Sequence, residues 1–136
     1  MTNVQLKAYK VSRINFNNAV QSTVQLKLNN KVSHNVKYND RSVCEATLCV
    51  EVLDKEHPDV LSVLVEVKGI FEILKSGVEK EFIHVDTFKE LFPLAKALVT
   101  TITANAGIKP IIVQNIDIED QEIYRFNMKA PKDDEE

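Results

Sequence analysis

Residues 91–110 read LFPLAKALVTTITANAGIKP, and the stretch VKGIFEI precedes them at residues 67–73. Apolar residues recur in the first stretch at helical spacing, at Leu91, Leu94, Ala95, Leu98 and Ile102. The opposite face is also almost uncharged, because Lys96 is the only charged residue between Leu91 and Asn105. A helix without a charged face is seldom a free surface. We therefore expect it to pack on its own domain and on a second subunit.

Proline and glycine mark the predicted ends of this helix. Pro93 suits a first helical turn, Gly107 suits a left-handed C-terminal cap, and Pro110 prevents continuation. The periodicity fades over residues 75–90, where apolar residues are scattered among charges. We predict a crossing loop there.

Upstream of the loop, the dominant pattern has a period of two. Between residues 42 and 53, the alternating apolar residues are Cys44, Ala46, Leu48, Val50 and Val52. Residues 60–69 alternate in the same way, with Leu64 as an apolar exception on the wet side. Each pattern predicts a strand with one buried face.

Two earlier strands are less regular. Residues 6–16 predict a strand that is bulged between Lys10 and Arg13. Alternation over residues 24–28 continues to Tyr38, so the second strand either turns at Asn29 or runs on past it. Four antiparallel strands joined by short connections follow.

These elements predict an α+β fold, a four-stranded antiparallel sheet followed by one long helix and a short C-terminal helix near residues 119–128. One domain is expected over residues 1–128, because 136 residues suit a single core. Residues 129–136, KAPKDDEE, predict a disordered acidic tail.

The composition of the chain limits its possible binding partners and its cellular location. A net charge of −3 offers no basic footprint for nucleic acid. No apolar run approaches the ~20 residues of a membrane-spanning helix, and no signal-peptide pattern opens the chain. We expect a cytoplasmic protein with no membrane insertion and no nucleic-acid partner.

No catalytic constellation stands out. His34, His57 and His84 lie far apart, and Cys44 and Cys49 are predicted on opposite faces of one strand, where they cannot bridge. Three glycines form no phosphate-binding loop. We expect no enzyme, cofactor or metal site. An enzyme would need a pocket that joins His34 or His84 with a cysteine.

The two opening stretches resemble the SecB family of export chaperones. The residues that carry the resemblance are Gly69, Ile70, Phe71 and Ile73, then Leu91, Phe92, Pro93, Ala95 and Lys96, then Gly107, Pro110 and Asn115. Counting weaker strand matches, the likeness spans residues 6–118.

The resemblance implies an ATP-independent holdase that binds unfolded or precursor polypeptides for export. Its client groove would draw on Phe16, Val24, Leu26, Leu28, Phe71, Phe82 and Phe88. By alternation alone, the core is the default position for the three aliphatic residues and for Phe71.

A contact with the export ATPase SecA would use Leu64 and Glu66 by the same resemblance. The acidic positions that flank the family's first-strand motif are Arg13 and Asn17 here, which weakens an electrostatic contact.

The resemblance also implies a dimer or tetramer in which strands pair side by side and the long helix lies centrally. The interface residues would be Leu91, Phe92, Leu98, Thr101 and Ile102. The alternative is one helix that covers one sheet in a monomer.

Two other functions remain open. The chain could be a dedicated chaperone of one partner, such as the antitoxin of a toxin–antitoxin system. It could also be an oligomeric scaffold that is not a chaperone and buries its apolar surface permanently.

Overall fold

The computed structural model describes residues 3–20, 27–39, 42–57 and 59–114, and these form four strands and one helix. The elements are β1 (Val4–Asn18), β2 (Leu28–Tyr38), β3 (Val43–Asp54), β4 (Leu61–Ile73) and α1 (Lys80–Asn105). The predicted α+β arrangement of an antiparallel sheet followed by a long helix is confirmed. The short helix and acidic tail predicted near the C-terminus lie outside the described residues.

The sheet is antiparallel, and its strand order is β1-β4-β3-β2. Short connections join β2, β3 and β4, as predicted. The first connection differs, because the two strands that it joins, β1 and β2, lie at opposite edges of the sheet. The result is a Greek-key order, in which three consecutive strands are followed in space by the first.

One face of the two central strands forms the core. On β3 and β4, side chains on the helix side are buried and those on the other side are half-buried. Alternation of valine and leucine with polar residues produces this pattern, and each buried aliphatic side chain contributes about 1.5–3 kcal/mol relative to exposure. The helix covers this face, and Leu91, Ala95 and Val99 are fully buried against it.

The helix begins at Lys80, so the loop predicted over residues 75–90 is wrong beyond its first few residues. Ile83 and Phe88 line the buried face of these turns, but the polar residues His84 and Thr87 are buried beside them. These buried polar residues interrupt the helical period of apolar residues, and the sequence pattern therefore did not indicate a helix here.

Pro93 consequently lies inside α1 and not in its first turn. It is on the exposed side of the helix, where the loss of one N–H donor is tolerated more easily than in the core. The predicted C-terminus is confirmed, because Gly107 has a φ of 84° just after the helix.

The two edge strands settle the open points about turns and bulges. β2 begins at Leu28 and runs straight through Asn29 to Tyr38, so no turn occurs at Asn29. β1 has a register shift between Val11 and Arg13, as predicted. It has a second shift between Leu6 and Ala8, which the sequence did not indicate.

Candidate functional site

The two register shifts of β1 place a row of apolar side chains on the helix side of the sheet. This row, the β1 stripe, consists of Tyr9, Val11, Ile14 and Phe16. In register, these residues lie opposite Gly69, Val67, Val65 and Val63 of β4. Those four β4 residues all belong to the buried side, and directly opposed residues share one face. The bulge at Ser12 thus keeps the second pair of the stripe on the same side as the first.

The stripe is nevertheless open to solvent. Its residues are 53, 38, 48 and 36% exposed in chain order. The helix packs mainly over the central strands β3 and β4 and leaves most of β1 uncovered. Only the first part of the strand, with Val4 and Leu6, joins the core. An uncovered row of large apolar side chains on an edge strand is typical of an interaction surface.

The structure separates the seven predicted groove residues. Three are exposed, namely Phe16 (36%), Leu28 (43%) and Phe82 (50%). Phe16 and Leu28 lie on opposite edge strands, and Phe82 lies in the first turn of α1, so no single groove joins them in one copy of the chain. Val24 and Leu26 lie outside the described residues.

The remaining two candidates are core residues. Phe71 is fully buried on β4 and Phe88 is 2% exposed on α1. The ring of Phe88 stacks on that of Phe92, with centroids 4.9 Å apart. Neither Phe71 nor Phe88 can touch a ligand while the helix stays in place, so neither belongs to an exposed binding surface.

Leu64 and Glu66, the predicted SecA contact, are half-buried on the face of the sheet away from the helix. The Ser12 hydroxyl donates a 2.7 Å hydrogen bond to Glu66 Oε1. Arg13 lies opposite Glu66 in the register, so a positively charged residue shares this face of the sheet with the carboxylate. The acidic character implied by the resemblance is therefore reduced at this point.

The predicted interface residues on α1 fall into two groups. Leu91 and Phe92 are buried against the chain's own sheet. Leu98 and Ile102 are half-buried, and Thr101 is exposed. On the outer side of the helix, a shallow groove of about 470 Å³ is lined by Pro93, Lys96, Ala97, Thr100 and Thr101.

The structure brings two of the three histidines together. His34 of β2 and His84 of α1 meet edge to face, with ring centroids 4.8 Å apart. Burial is the main cause that lowers the pKa of His34 to about 3 and that of His84 to about 4. Cys44 shares their side of the sheet, and burial raises the pKa of its thiol to about 11. Imidazoles that stay neutral and a buried thiol that stays protonated do not form an activated nucleophile.

Other site classes gain no support from the geometry. Cys44 and Cys49 are on opposite faces of β3, as predicted, and both are free thiols. Within the residues that the structure describes, no three His, Cys, Asp or Glu side chains cluster closely enough to hold a metal ion. In that same part of the chain, no helix is both long and apolar enough to span a membrane.

Sequence reasoning did not identify Tyr9, Val11 and Ile14 as site residues. The signal was present, because the spacing 9, 11, 14, 16 is a period of two interrupted by one step of three. That interruption is the sequence pattern of a bulge that preserves one face. What the sequence could not provide was the position of β1 at an edge, beyond the cover of the helix.

Residues 2–130 match the family model described as "SecB: Preprotein translocase subunit SecB". The chain belongs to the SecB family. The resemblance carried by the two opening stretches is thereby confirmed, and membership supports a chaperone role, since the family consists of chaperones and not of enzymes. In sequence, the chain is similar to "Uncharacterized protein MJ0357" of Methanocaldococcus jannaschii, with 29% identity over 118 residues, which covers 81% of this chain and 76% of that protein.

Solved structures share the fold. The chain is similar to the Mycobacterium tuberculosis Rv1957 SecB-like chaperone, solved in complex with a ChAD peptide from the Rv1956 HigA1 antitoxin. The TM-score is 0.66 at 14% identity, and the match covers 84% of this chain and 91% of the other. A protein of unknown function from Streptococcus agalactiae matches with a TM-score of 0.50 at 13% identity, over 85% of this chain and 99% of that one. At these identities, the likeness shows the fold alone.

Proposed function

We propose that this SecB family member is an ATP-independent holdase, acting in the cytoplasm, that binds unfolded polypeptides on the β1 stripe. The proposal rests on the solvent-exposed row of Tyr9, Val11, Ile14 and Phe16 on β1. Among the described strands, β1 pairs with β4 alone, so its other edge has no strand partner. An unfolded chain exposes apolar side chains and backbone hydrogen-bonding groups together. The stripe and the edge of β1 are complementary to both.

Such a surface is expected to bind many different client sequences and not to select one. Burial of apolar area is non-directional and contributes roughly 25 cal/mol per Å². Stripe side chains alternate along an extended strand, so any client segment with apolar residues at every second position can match them. Backbone pairing adds affinity without reading the client's sequence.

Self-association through β1 would pair the backbone edge of that strand with a second copy, so a client of the dimer would bind the enlarged apolar surface and not that edge. Antiparallel pairing of two copies about a twofold axis perpendicular to the sheet keeps both helices on one side. The two stripes would then lie side by side and form one apolar surface across the dimer. The outer groove of α1, which includes Thr101, is where a second dimer would complete a tetramer.

We propose further that the chain delivers its clients to SecA for export. The contact would use Leu64 and Glu66 on the face opposite the helix. Because Ser12 and Arg13 engage or offset the Glu66 carboxylate, we expect this contact to be weaker than one made by an open acidic surface.

A second candidate function is a dedicated chaperone of one partner, such as an antitoxin. The reduced acidity around Glu66 favours it, since a chaperone for a single client has no need of the export motor. The Mycobacterium tuberculosis SecB-like chaperone, which shares the fold, was solved in complex with a peptide from an antitoxin. A permanent oligomeric scaffold would instead bury the β1 stripe and bind no client.

The deciding experiment measures whether the purified chain suppresses aggregation of an unrelated unfolded protein at near-stoichiometric amounts without ATP. Phe16→Asp places a charge on the stripe, and we expect suppression to be lost while light scattering reports an unchanged assembly. Asn15→Asp is the matched control, because Asn15 is the adjacent residue and faces the other side of the sheet.

The outcomes separate the candidates. A well-folded wild-type oligomer that suppresses nothing would eliminate the general holdase and leave the dedicated chaperone or the scaffold. Binding of one antitoxin-type peptide, with no effect on unrelated clients, would favour the dedicated chaperone. Equal loss of activity in both aspartate variants would remove the stripe from the binding surface.

A further inference from the structure

The first turns of α1 are attached to edge strand β2 by a histidine contact. His34 and His84 lie edge to face at 4.8 Å between ring centroids, and His34 also meets Phe88 edge to face at 5.5 Å. The Thr87 hydroxyl lies 3.0 Å from His34 Nε2 and donates a 2.9 Å hydrogen bond to the Ile83 carbonyl. A small polar cluster thus joins helix and strand inside an otherwise apolar layer.

The groups that face this pair are apolar or uncharged at neutral pH. Leu48 of β3 lies opposite His34 in the register, and Thr87 and Phe88 of α1 contact the His34 ring, while Tyr38 and Cys44 form a pair further along the same face of β2 and β3. Burial raises the pKa of Tyr38 to about 12 and that of Cys44 to about 11, so neither becomes an anion near neutral pH.

Two of the charged residues nearest in α1 add positive charge or are already hydrogen-bonded to another residue. Lys80 Nζ lies 4.9 Å above the Tyr38 ring. Asp86 accepts hydrogen bonds of 3.0 and 2.9 Å from the backbone and side-chain nitrogens of Asn3. Glu81 is half-buried in the first turn. A proton added to either imidazole would therefore bring a cation next to a second histidine in a layer of low polarity.

We propose that the His34–His84 contact makes the first turns of α1 a cover over β2 that mild acid releases. With the cover closed, both imidazoles are held neutral. With the cover open, each imidazole meets water and regains an ordinary pKa of about 6.5.

The sign of the pH effect follows from that difference. The closed form binds fewer protons than the open form, so the closed form is fully favoured above about pH 6.5 and loses its advantage as the pH falls. At about pH 5, the balance shifts toward the open form by roughly 30-fold for each histidine. The contribution of His84 levels off near pH 4 and that of His34 near pH 3, where each imidazole also titrates in the closed form.

Opening would have a consequence for binding that rests on the function proposed above. Release of these turns uncovers the stacked rings of Phe88 and Phe92, which lie directly behind the histidines. Mild acid would therefore enlarge the apolar surface that is available to an unfolded client.

Hydrogen exchange of the full-length chain at about pH 7.5 and about pH 5, corrected for intrinsic rates, tests the release itself. In the wild type, amides of residues 81–92 and of β2 should lose protection in acid by roughly 30-fold or more, while those of β4 keep theirs. The double substitution His34→Phe and His84→Leu should abolish the loss. His57→Gln, in the exposed β3–β4 turn, should leave it unchanged.

Three results would overturn the proposal: no loss of protection in acid, equal loss in the double variant, or equal loss throughout β4. If the double variant does not fold, the wild-type imidazole resonances decide, because titration of His34 and His84 near pH 6.5 would show that neither is held neutral. The consequence for clients is read separately, from aggregation suppression in acid. If hydrogen exchange confirms the release but suppression does not increase in acid, the effect on client binding is contradicted and the release itself is still supported.

Discussion

Gly69 occupies a point in β4 where the sheet has no room for a side chain. A Cβ atom there would lie 2.9 Å from both Leu91 Cδ2 and Phe71 Cε1, and 3.1 Å from Leu6 Cδ1. We expect Gly69→Val to lower the free energy of unfolding by about 1–3 kcal/mol, because these packed side chains must leave their positions. Denaturant unfolding monitored by circular dichroism measures the change.

Gly69→Ala should cost less than Gly69→Val, since the three crowding atoms are ends of side chains and can move slightly. Lys68→Val is the control, because it introduces the same side chain at the next position, on the opposite face of β4. A valine at position 69 that costs no more than one at position 68 would show that the crowding is relieved.

The Thr103 hydroxyl connects the end of α1 to the segment that follows it. It donates a 2.9 Å hydrogen bond to the Val99 carbonyl and accepts a 2.8 Å hydrogen bond from the Ile111 N–H. Thr103→Val keeps the shape but leaves a buried N–H without an acceptor, so we expect a loss of about 1–3 kcal/mol in the free energy of unfolding.

Thr103→Ser keeps the hydroxyl and should retain most of the stability in the same denaturation assay. Thr101→Val, at an exposed position on the same helix, should change stability by less than about 0.5 kcal/mol. Equal losses for valine and serine at position 103 would assign the effect to packing and not to the hydrogen bond.

At the scale of the element, the first turns of α1 offer a direct test of the corrected helix boundary. Phe88 is 2% exposed and Phe82 is 50% exposed, six residues apart on one helix. Phe88→Ala should cost about 3–5 kcal/mol of unfolding free energy, because it empties a core position. Phe82→Ala should cost less than about 1 kcal/mol. Similar values from thermal or denaturant unfolding would contradict the placement of these turns on the sheet.

How much of each element could be predicted depended on whether local pattern and burial agree. β3 and β4 were predictable because their alternation is uninterrupted and their alternate residues are buried. The first half of α1 was not, since His84 and Thr87 are polar yet buried, while Phe82 is apolar yet exposed. Tertiary contacts with β2 decide those positions, and a periodicity measured along the chain contains no information about them.

The candidate surface shows the same limit. The bulge near Ser12 was readable from the spacing of apolar residues in β1. The pairing of β1 with β4 was not, because alternation describes faces of a strand and says nothing about its neighbour. The predicted groove therefore included Phe71, which burial excludes, and omitted Tyr9, the most exposed member of the stripe.

At the scale of the whole molecule, β1 is the edge at which we expect two copies to join. Hydrogen exchange of the β1 amides should slow as protein concentration rises through the range where light scattering reports dimer formation. The amides of β2, at the other edge, should not change with concentration. Protection that increases in β2 and not in β1 would reverse the assignment of the interface.

The strand order also determines how this chain behaves while it is being made. β1 leaves the ribosome first, but its partner β4 begins about 40 residues later, a delay of roughly 2–9 s at ordinary synthesis rates. During that interval, Tyr9, Val11, Ile14 and Phe16 have neither a paired backbone nor a covering helix. Nascent copies of this chain then present the features of an unfolded client, so the proposed holdase function would extend to copies of this chain that are still in synthesis.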